Sequence, residues 1–157
     1  MENASNLDEI DKHILKKLQE NNRITIKEMA SELNLSTTPI FERMKKLERE
    51  GFIAKNVAIL NPELLDLNLV VFISISISDH SITALNEFVE RVVQFPEVLE
   101  CHHVTGQSDF LLKVILKDIK AYNEFVLSKI STVPNIAKVE SSFSLSVRKN
   151  TQQLPIK

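Results

Sequence analysis

The sequence predicts an α+β protein, a short all-helical segment followed by a β-α-β-β-α-β unit. Two observations predict it. Between Leu7 and Gly51 apolar residues recur every three or four positions, the helical period. Beyond Pro62 stretches with a period of two alternate with helical ones. The 157 residues suffice for one ordinary domain or two small ones, and 43% hydrophobic with 25% charged residues is the composition of a globular chain.

The first helix is expected over Leu7 to Glu20, with Ile10, Ile14 and Leu18 as its apolar stripe and Asn6 with Glu9 as a start signal. Asn21, Asn22 and Arg23 interrupt the pattern. Thr25 and Glu28 form a capping box for a second helix that buries Ile26, Met29, Ala30 and Leu33. Asn34 tolerates the left-handed backbone that ends it, and Leu35 is read as an apolar plug in the turn. Ser36 is suited to the N-cap of a third helix, and Pro39 falls in its first turn, where a missing N–H costs little. Ile40, Met44 and Leu47 face inward. The outer face carries Thr37, Thr38, Glu42, Arg43, Lys45, Lys46 and Arg49, and Gly51 stops the helix.

Phe52 to Leu60 reads as an extended segment or strand, and Asn61-Pro62 marks a hinge. Leu69 to Ser78 alternates Ile73, Ile75 and Ile77 with Ser74, Ser76 and Ser78, a strand with one buried face. Ser81 to Phe95 is a helix with Leu85, Phe88, Val89 and Val92 inward, ended by Pro96. Val98–Val104 and Asp109–Leu116 are strands joined by Thr105-Gly106-Gln107-Ser108. Asp118 opens a helix with Ile119, Tyr122, Val126 and Ile130 inward, ended by Pro134, and Val139 to Val147 is a last strand. This order is the ferredoxin-like split unit, in which the first and last strands are neighbours. Their serines then share one face, and the two helices cover the other. The uncovered face, extended by Val70 and Phe72, is expected to pair with a second copy in a homodimer. The domains are thus 1–52 helical, 53–68 connecting strand and hinge, 69–149 the β-α-β-β-α-β unit and 150–157 a C-terminal tail.

Residues 25–53 show two short helices joined by a tight polar turn, a helix-turn-helix of winged-helix-like form that offers its second helix to the DNA major groove. On periodicity alone an ordinary helical hairpin fits as well. Net charge is −2, so any nucleic-acid contact rests on a local patch. Up to Pro62 there are ten Lys+Arg against ten Asp+Glu, which leaves nine against eleven of the totals of 19 and 21. Arg43, Lys45, Lys46, Arg49 and Lys55 against Glu48 and Glu50 give net +3 locally. A solvated helix face is the competing reading.

The single Cys101 excludes an internal disulfide and fits a reducing, cytoplasmic compartment. The polar, acidic N-terminus is unlike a signal peptide, and no apolar run is long enough to span a bilayer, so no membrane partner is expected. Cys101-His102-His103 invites a metal reading, but adjacent strand residues point to opposite faces and cannot all ligate one ion. No metal or other cofactor is expected. Catalysis finds no nucleophile–base pair or phosphate loop to support it.

Four stretches, LDEIDKHILKKLQENNRI, LSTTPIFERMKKLEREGFI, LNPELLDLNLVVFISI and ECHHVTGQSDFLLKV, resemble in order and spacing the leucine-responsive/asparagine regulator (Lrp/AsnC) family, from Leu7 to about Lys149. Thr38-Pro39 is similar to its leucine-responsive branch. Departures are Lys55-Asn56 where the family often has Gly-Tyr, Asn68 where it has Gly, and Gly106-Gln107-Ser108-Asp109 where it often has a second Asp. The resemblance implies a transcriptional regulator that binds double-stranded DNA and not an enzyme. Ser36, Thr37, Thr38 and Glu42 would stand nearest the bases, and Arg43, Lys45, Lys46 and Arg49 would meet phosphates. Arg43 has a second reading as an intradomain salt bridge. The resemblance also implies a small amino-acid effector between neighbouring dimers of a homodimer or octamer. Amides of Thr105, Gly106, Gln107 and Ser108 would hold its carboxylate and Asp109 its ammonium group, with His103, Ser142 and Ser144 nearby. Two alternatives share this pattern: a sirohaem-decarboxylase-like enzyme using His80, His102 and His103, and a stand-alone amino-acid-binding oligomer with a vestigial helical domain.

Overall fold

The computed structural model describes residues 7–157. They fall into two compact units, one running to Ile59 and also taking in Lys149–Lys157, the other Leu60–Arg148.

In the first unit α1 spans Glu9–Glu20, α2 Ile26–Glu32 and α3 Thr37–Arg49. Asp8 caps α1 by accepting the Asp11 N–H at 2.8 Å; the expected start at Asn6 lies outside the described residues. The Thr25–Glu28 capping box is complete, with each side chain bonded to the other residue's backbone. Asn34 takes φ 53 and Gly51 φ 81, the left-handed ends the sequence called for. Ile14, Leu15, Met29, Ala30, Ile40 and Leu47 are buried together. Leu35 is no plug: its N–H bonds the Ala30 carbonyl, but its side chain is exposed. Residues 54–60 are extended yet form no strand, since a strand needs a partner and none is present among the described residues.

The C-terminal tail, residues 150–157, belongs to the helical unit, where Ile156 joins its apolar cluster.

The second unit is a four-stranded antiparallel sheet in the order β2-β3-β1-β4, with β1 Leu69–Ile77, β2 Val98–His103, β3 Phe110–Leu116 and β4 Ile136–Phe143. Helices α4 (Ile82–Val92) and α5 (Ile119–Ser128) cover one face, capped by Ser81 and Asp118. Val71, Ile73, Ile75 and Ile77 point into that core with Phe88, Phe110, Leu112 and Phe125. Val70, Phe72, Ser74 and Ser76 line the open face, and the register places Ser142 beside Phe72 and Ser144 beside Val70 there. The serines share one face, as alternation required.

Four details differ from expectation. The last strand spans Ile136–Phe143, three residues earlier at its start than the alternation suggested; past it Leu145 is 98% exposed. Apolar alternation alone does not distinguish a paired strand from an unpaired extended chain. Ile119 is exposed and Phe125 is buried in its place, with Tyr122 and Val126 packed beside it on the core. A left-handed residue stands in the hinge at Asp66 (φ 59), at the end of a 3-10 turn over Glu63–Leu65, while Asn68, which stands where the family has Gly, is not left-handed. Asn135 is also left-handed (φ 64), after the Pro134 that was read only as a stop. No helix among the described residues is long and apolar enough to cross a membrane.

Candidate functional site

Two surfaces gather the predicted residues. The first is α3. Its inner side is fixed by Ile40 and Leu47, both fully buried, with Met44 packed beside them. Its outer side exposes Thr37, Thr38, Phe41, Glu42, Lys45 and Arg49. Ser36 occupies the N-cap but makes no side-chain cap bond, so its hydroxyl is free for another partner at the positive end of the helix.

Arg43 resolves toward its second reading. Its guanidinium donates to Asp8 Oδ2 and to Asp11 Oδ1, each at 2.6 Å, and Asp11 is only 1% exposed. The two carboxylates raise the Arg43 pKa, and Asp8 is lowered by the Asp11 N–H and by Arg43. Arg43 therefore bolts α3 to α1 from the protein side rather than standing free for phosphate. Lys45 pairs with Glu48 at 3.2 Å and reaches 5.9 Å from the Phe41 ring centroid. Arg49 is exposed and Lys46, expected on the outer face, is half-buried; neither makes an ion pair among the described residues. Phe41 was missed in the sequence, where an aromatic on a helix reads as core; at 42% exposure it is part of the outer face. Its phase, three residues after Thr38 and four before Lys45, was the available signal.

The second surface is the turn between β2 and β3. The Val104 N–H bonds the Asp109 carbonyl at 2.9 Å, and the Asp109 N–H bonds the Ile75 carbonyl at 2.9 Å. Gly106 has φ +124, a backbone closed to other residues without strain, although a Cβ there would meet nothing within 4 Å. Thr105, Gly106 and Gln107 are exposed, while Ser108 is half-buried. Asp109 is not a free carboxylate. Its Oδ2 accepts the Ile77 N–H at 2.8 Å and its Oδ1 pairs with His80 Nε2 at 3.0 Å. The Ile77 N–H, with help from His80, lowers its pKa. His80, which sequence reasoning considered only for the enzyme alternative, thus belongs to this turn. His103 stacks on Phe110 with ring centroids 4.8 Å apart.

Ser142 and Ser144 are not brought to this turn within one chain. They pair opposite Phe72 and Val70, near the start of β1, whereas the turn hangs from Ile75 and Ile77 at its end. Ile77 lies five positions along the strand from Phe72, about 16 Å. Cys101 and His103 face the helices and His102 the open side, where Glu100 bonds both His102 and Lys113. Burial raises the Cys101 thiol pKa. Among the described residues no cluster of three His, Cys, Asp or Glu side chains could hold a metal ion.

Comparison with known proteins gives this geometry its context. Residues 7–54 match the winged helix-turn-helix DNA-binding family, and residues 70–154 the Lrp/AsnC ligand binding domain. The DNA-binding transcriptional activator DecR of Escherichia coli is 37% identical over 96% of this chain and 99% of its own length. The leucine-responsive regulatory protein of Klebsiella pneumoniae is 35% identical over 98% and 94%. Among solved structures, a transcriptional regulator from Neisseria meningitidis in complex with L-Met superposes with a TM-score of 0.91 at 37% identity, covering 96% of this chain and 97% of that one. Escherichia coli AsnC gives 0.88 at 25% identity, covering 96% and 99%. With its exposed helix α3 on one unit and the Gly106–Asp109 turn on the other, the chain belongs to the Lrp/AsnC family of DNA-binding transcriptional regulators.

Proposed function

We propose that this regulator reads an operator with the first half of α3 and answers to a small amino acid bound at the Thr105–Asp109 turn. The observation that carries the first part is the division of labour on α3. Arg43, Ile40 and Leu47 hold the helix, which frees Thr37, Thr38, Phe41 and Glu42 for base edges and Lys45, Lys46 and Arg49 for phosphates. Ser36 contributes at the entrance, where helix N–H groups also face a phosphate.

For the effector, the amino acid bound in the Neisseria relative supports the class. The exposed amides around Gly106 suit its carboxylate. Its ammonium group competes with His80 for Asp109 Oδ1, while the Ile77 N–H keeps the other carboxylate oxygen in place. Ser142 and Ser144 reach such a pocket only from a neighbouring copy. The open face of the sheet, with Val70, Phe72, Leu111 and Ile115, supplies the surface for a homodimer, and further assembly to an octamer brings dimers side by side. The protein works in the cytoplasm, without a cofactor and without catalysing a reaction.

The test begins with selection of a duplex from a random pool and titration of its affinity against salt. Lys46→Ala is expected to weaken all duplexes similarly and to lower the salt slope by about one. An unchanged slope removes Lys46 from the interface. A thermal-shift screen of the twenty amino acids then identifies the effector, since a ligand of the folded state raises the midpoint. Asp109→Ala should abolish that response and spare DNA affinity. A monomer by light scattering at micromolar concentration would refute the homodimer.

A further inference from the structure

The first unit contains a groove of about 840 Å³ between α1 and the segment that follows α3, lined by Leu15, Leu18, Phe52 and Ile53. The far end of the chain forms part of its wall. Leu154 and Ile156 line the same groove, and Ile156 packs in the apolar cluster that holds Met44 and Leu47 of α3.

The polar contacts are specific. Gln19 Oε1 accepts the Leu154 N–H at 2.5 Å, and Gln19 Nε2 donates to the Leu154 carbonyl at 3.3 Å. A side-chain amide carries both a donor and an acceptor, so one glutamine satisfies both backbone groups of one extended residue, as a neighbouring strand would. Gln153 returns the contact, its Nε2 donating at 3.4 Å to the Gln19 carbonyl. That carbonyl is in the last turn of α1, where no intrahelical partner exists. Thr151 Oγ1 accepts the Gln153 N–H at 3.1 Å and shapes the approach.

We propose that the chain's own Gln152–Ile156 docks on α1 as a wall of this groove, and that this docking governs how firmly α1 and α3 are held and hence operator affinity. The unit needs such support because its own core is small. The chain also leaves this unit after Ile59 and re-enters it at Lys149, so the docked segment is a second covalent link to the sheet unit. The affinity part rests on the DNA-binding reading above; the docking part does not.

The test uses the full chain, a Gln152→stop variant and Gln19→Ala, compared by amide hydrogen exchange and by affinity for the selected duplex. The Leu154 amide should be protected in the full chain and lose protection in Gln19→Ala. Truncation should speed exchange at the Leu15 and Leu47 amides roughly tenfold and weaken duplex binding by a similar factor. A synthetic peptide of residues 151–157 should restore both. An unprotected Leu154 amide, or a truncated chain with unchanged exchange, overturns the docking. Faster exchange with unchanged duplex affinity overturns the control of DNA binding. Protection that rises with protein concentration assigns the contact to the tail of a second copy and overturns the proposal as stated. A full chain with no salt-dependent DNA binding defeats the regulator reading, while the exchange arms still decide the docking.

Discussion

The helical unit closes on six buried apolar residues, whereas the sheet unit closes on thirteen, counted among the described residues. The smaller core is reinforced by polar brackets. Arg43 ties α3 to Asp8 and Asp11 on α1, and Lys17 on α1 reaches Glu32 on α2 at 3.1 Å. Nearby, the buried Nε2 of His13 has no hydrogen-bond partner among the described residues and stands 3.6 Å from Glu32. The sheet unit has ion pairs of its own, such as Lys129 with Glu97 at 2.6 Å, but sets them on a core twice as large. Its two central strands, β1 and β3, bury alternate residues against two helices, and Phe88 meets Phe110 at a centroid distance of 4.5 Å. The difference teaches how each does its work. A DNA reader must spend most of a small surface on its partner, so orientation falls to a few directional contacts. A sheet with one covered face can be built by packing and still offer the other.

The contrast can be broken at its strongest point first. Phe88→Ala should cost the sheet unit about 3–5 kcal/mol, the usual loss for a buried aromatic. Urea unfolding followed by β-sheet circular dichroism would measure it, and a loss below about 1 kcal/mol would mean that packing does not dominate there. Arg43→Ala should follow at about 2–3 kcal/mol, mostly because the buried Asp11 carboxylate is left without its partner. It should lower operator affinity too, through loss of helix orientation. A variant of wild-type stability and weakened only in DNA binding would return Arg43 to the phosphate-contacting group.

Thr25→Ala should cost about 1 kcal/mol, the value of an N-cap in a short helix. Exchange at α2 amides reads it directly, and unchanged rates would show that tertiary packing alone fixes α2. The smallest effect concerns pH. Asp109 has a pKa below the ordinary carboxylate value of 3.8, mainly through the Ile77 N–H. Its stabilising contribution is therefore full above that value and disappears as pH falls through the lower, folded-state value. The stability gap between wild type and Asp109→Asn should narrow across that acid range; a gap independent of pH would remove the charged form of Asp109 from the sheet's support.

Much of this was legible in the sequence for a local reason. The Thr25–Glu28 box, the left-handed Asn34, the glycine stop at Gly51 and the odd–even faces of β1 each depend on residues within a few positions of one another. The two faces of α3 were legible for the same reason, since its periodicity separates the buried Ile40 and Leu47 from the exposed Thr37, Thr38 and Arg49. The end of β4 was not, because Leu145 and Val147 continue the alternation after pairing has ceased. The effector group was legible as residue types only. Its turn and its serines stand at opposite ends of β1.

By itself, then, the sequence determined the elements, their buried faces and the chemistry each exposed face carries, because propensity, capping and periodicity act over one or two turns or a strand's length. Only the tertiary structure decided which charges are spent internally and which stay free. Arg43 and Asp11 are 32 positions apart, His80 and Asp109 are 29, and Gln19 and Leu154 are 135. No local rule couples residues so distant. Their pairing follows from the way the buried faces close on one another, which sets the few ångströms between side chains that decide whether a charge belongs to the fold or to its ligand.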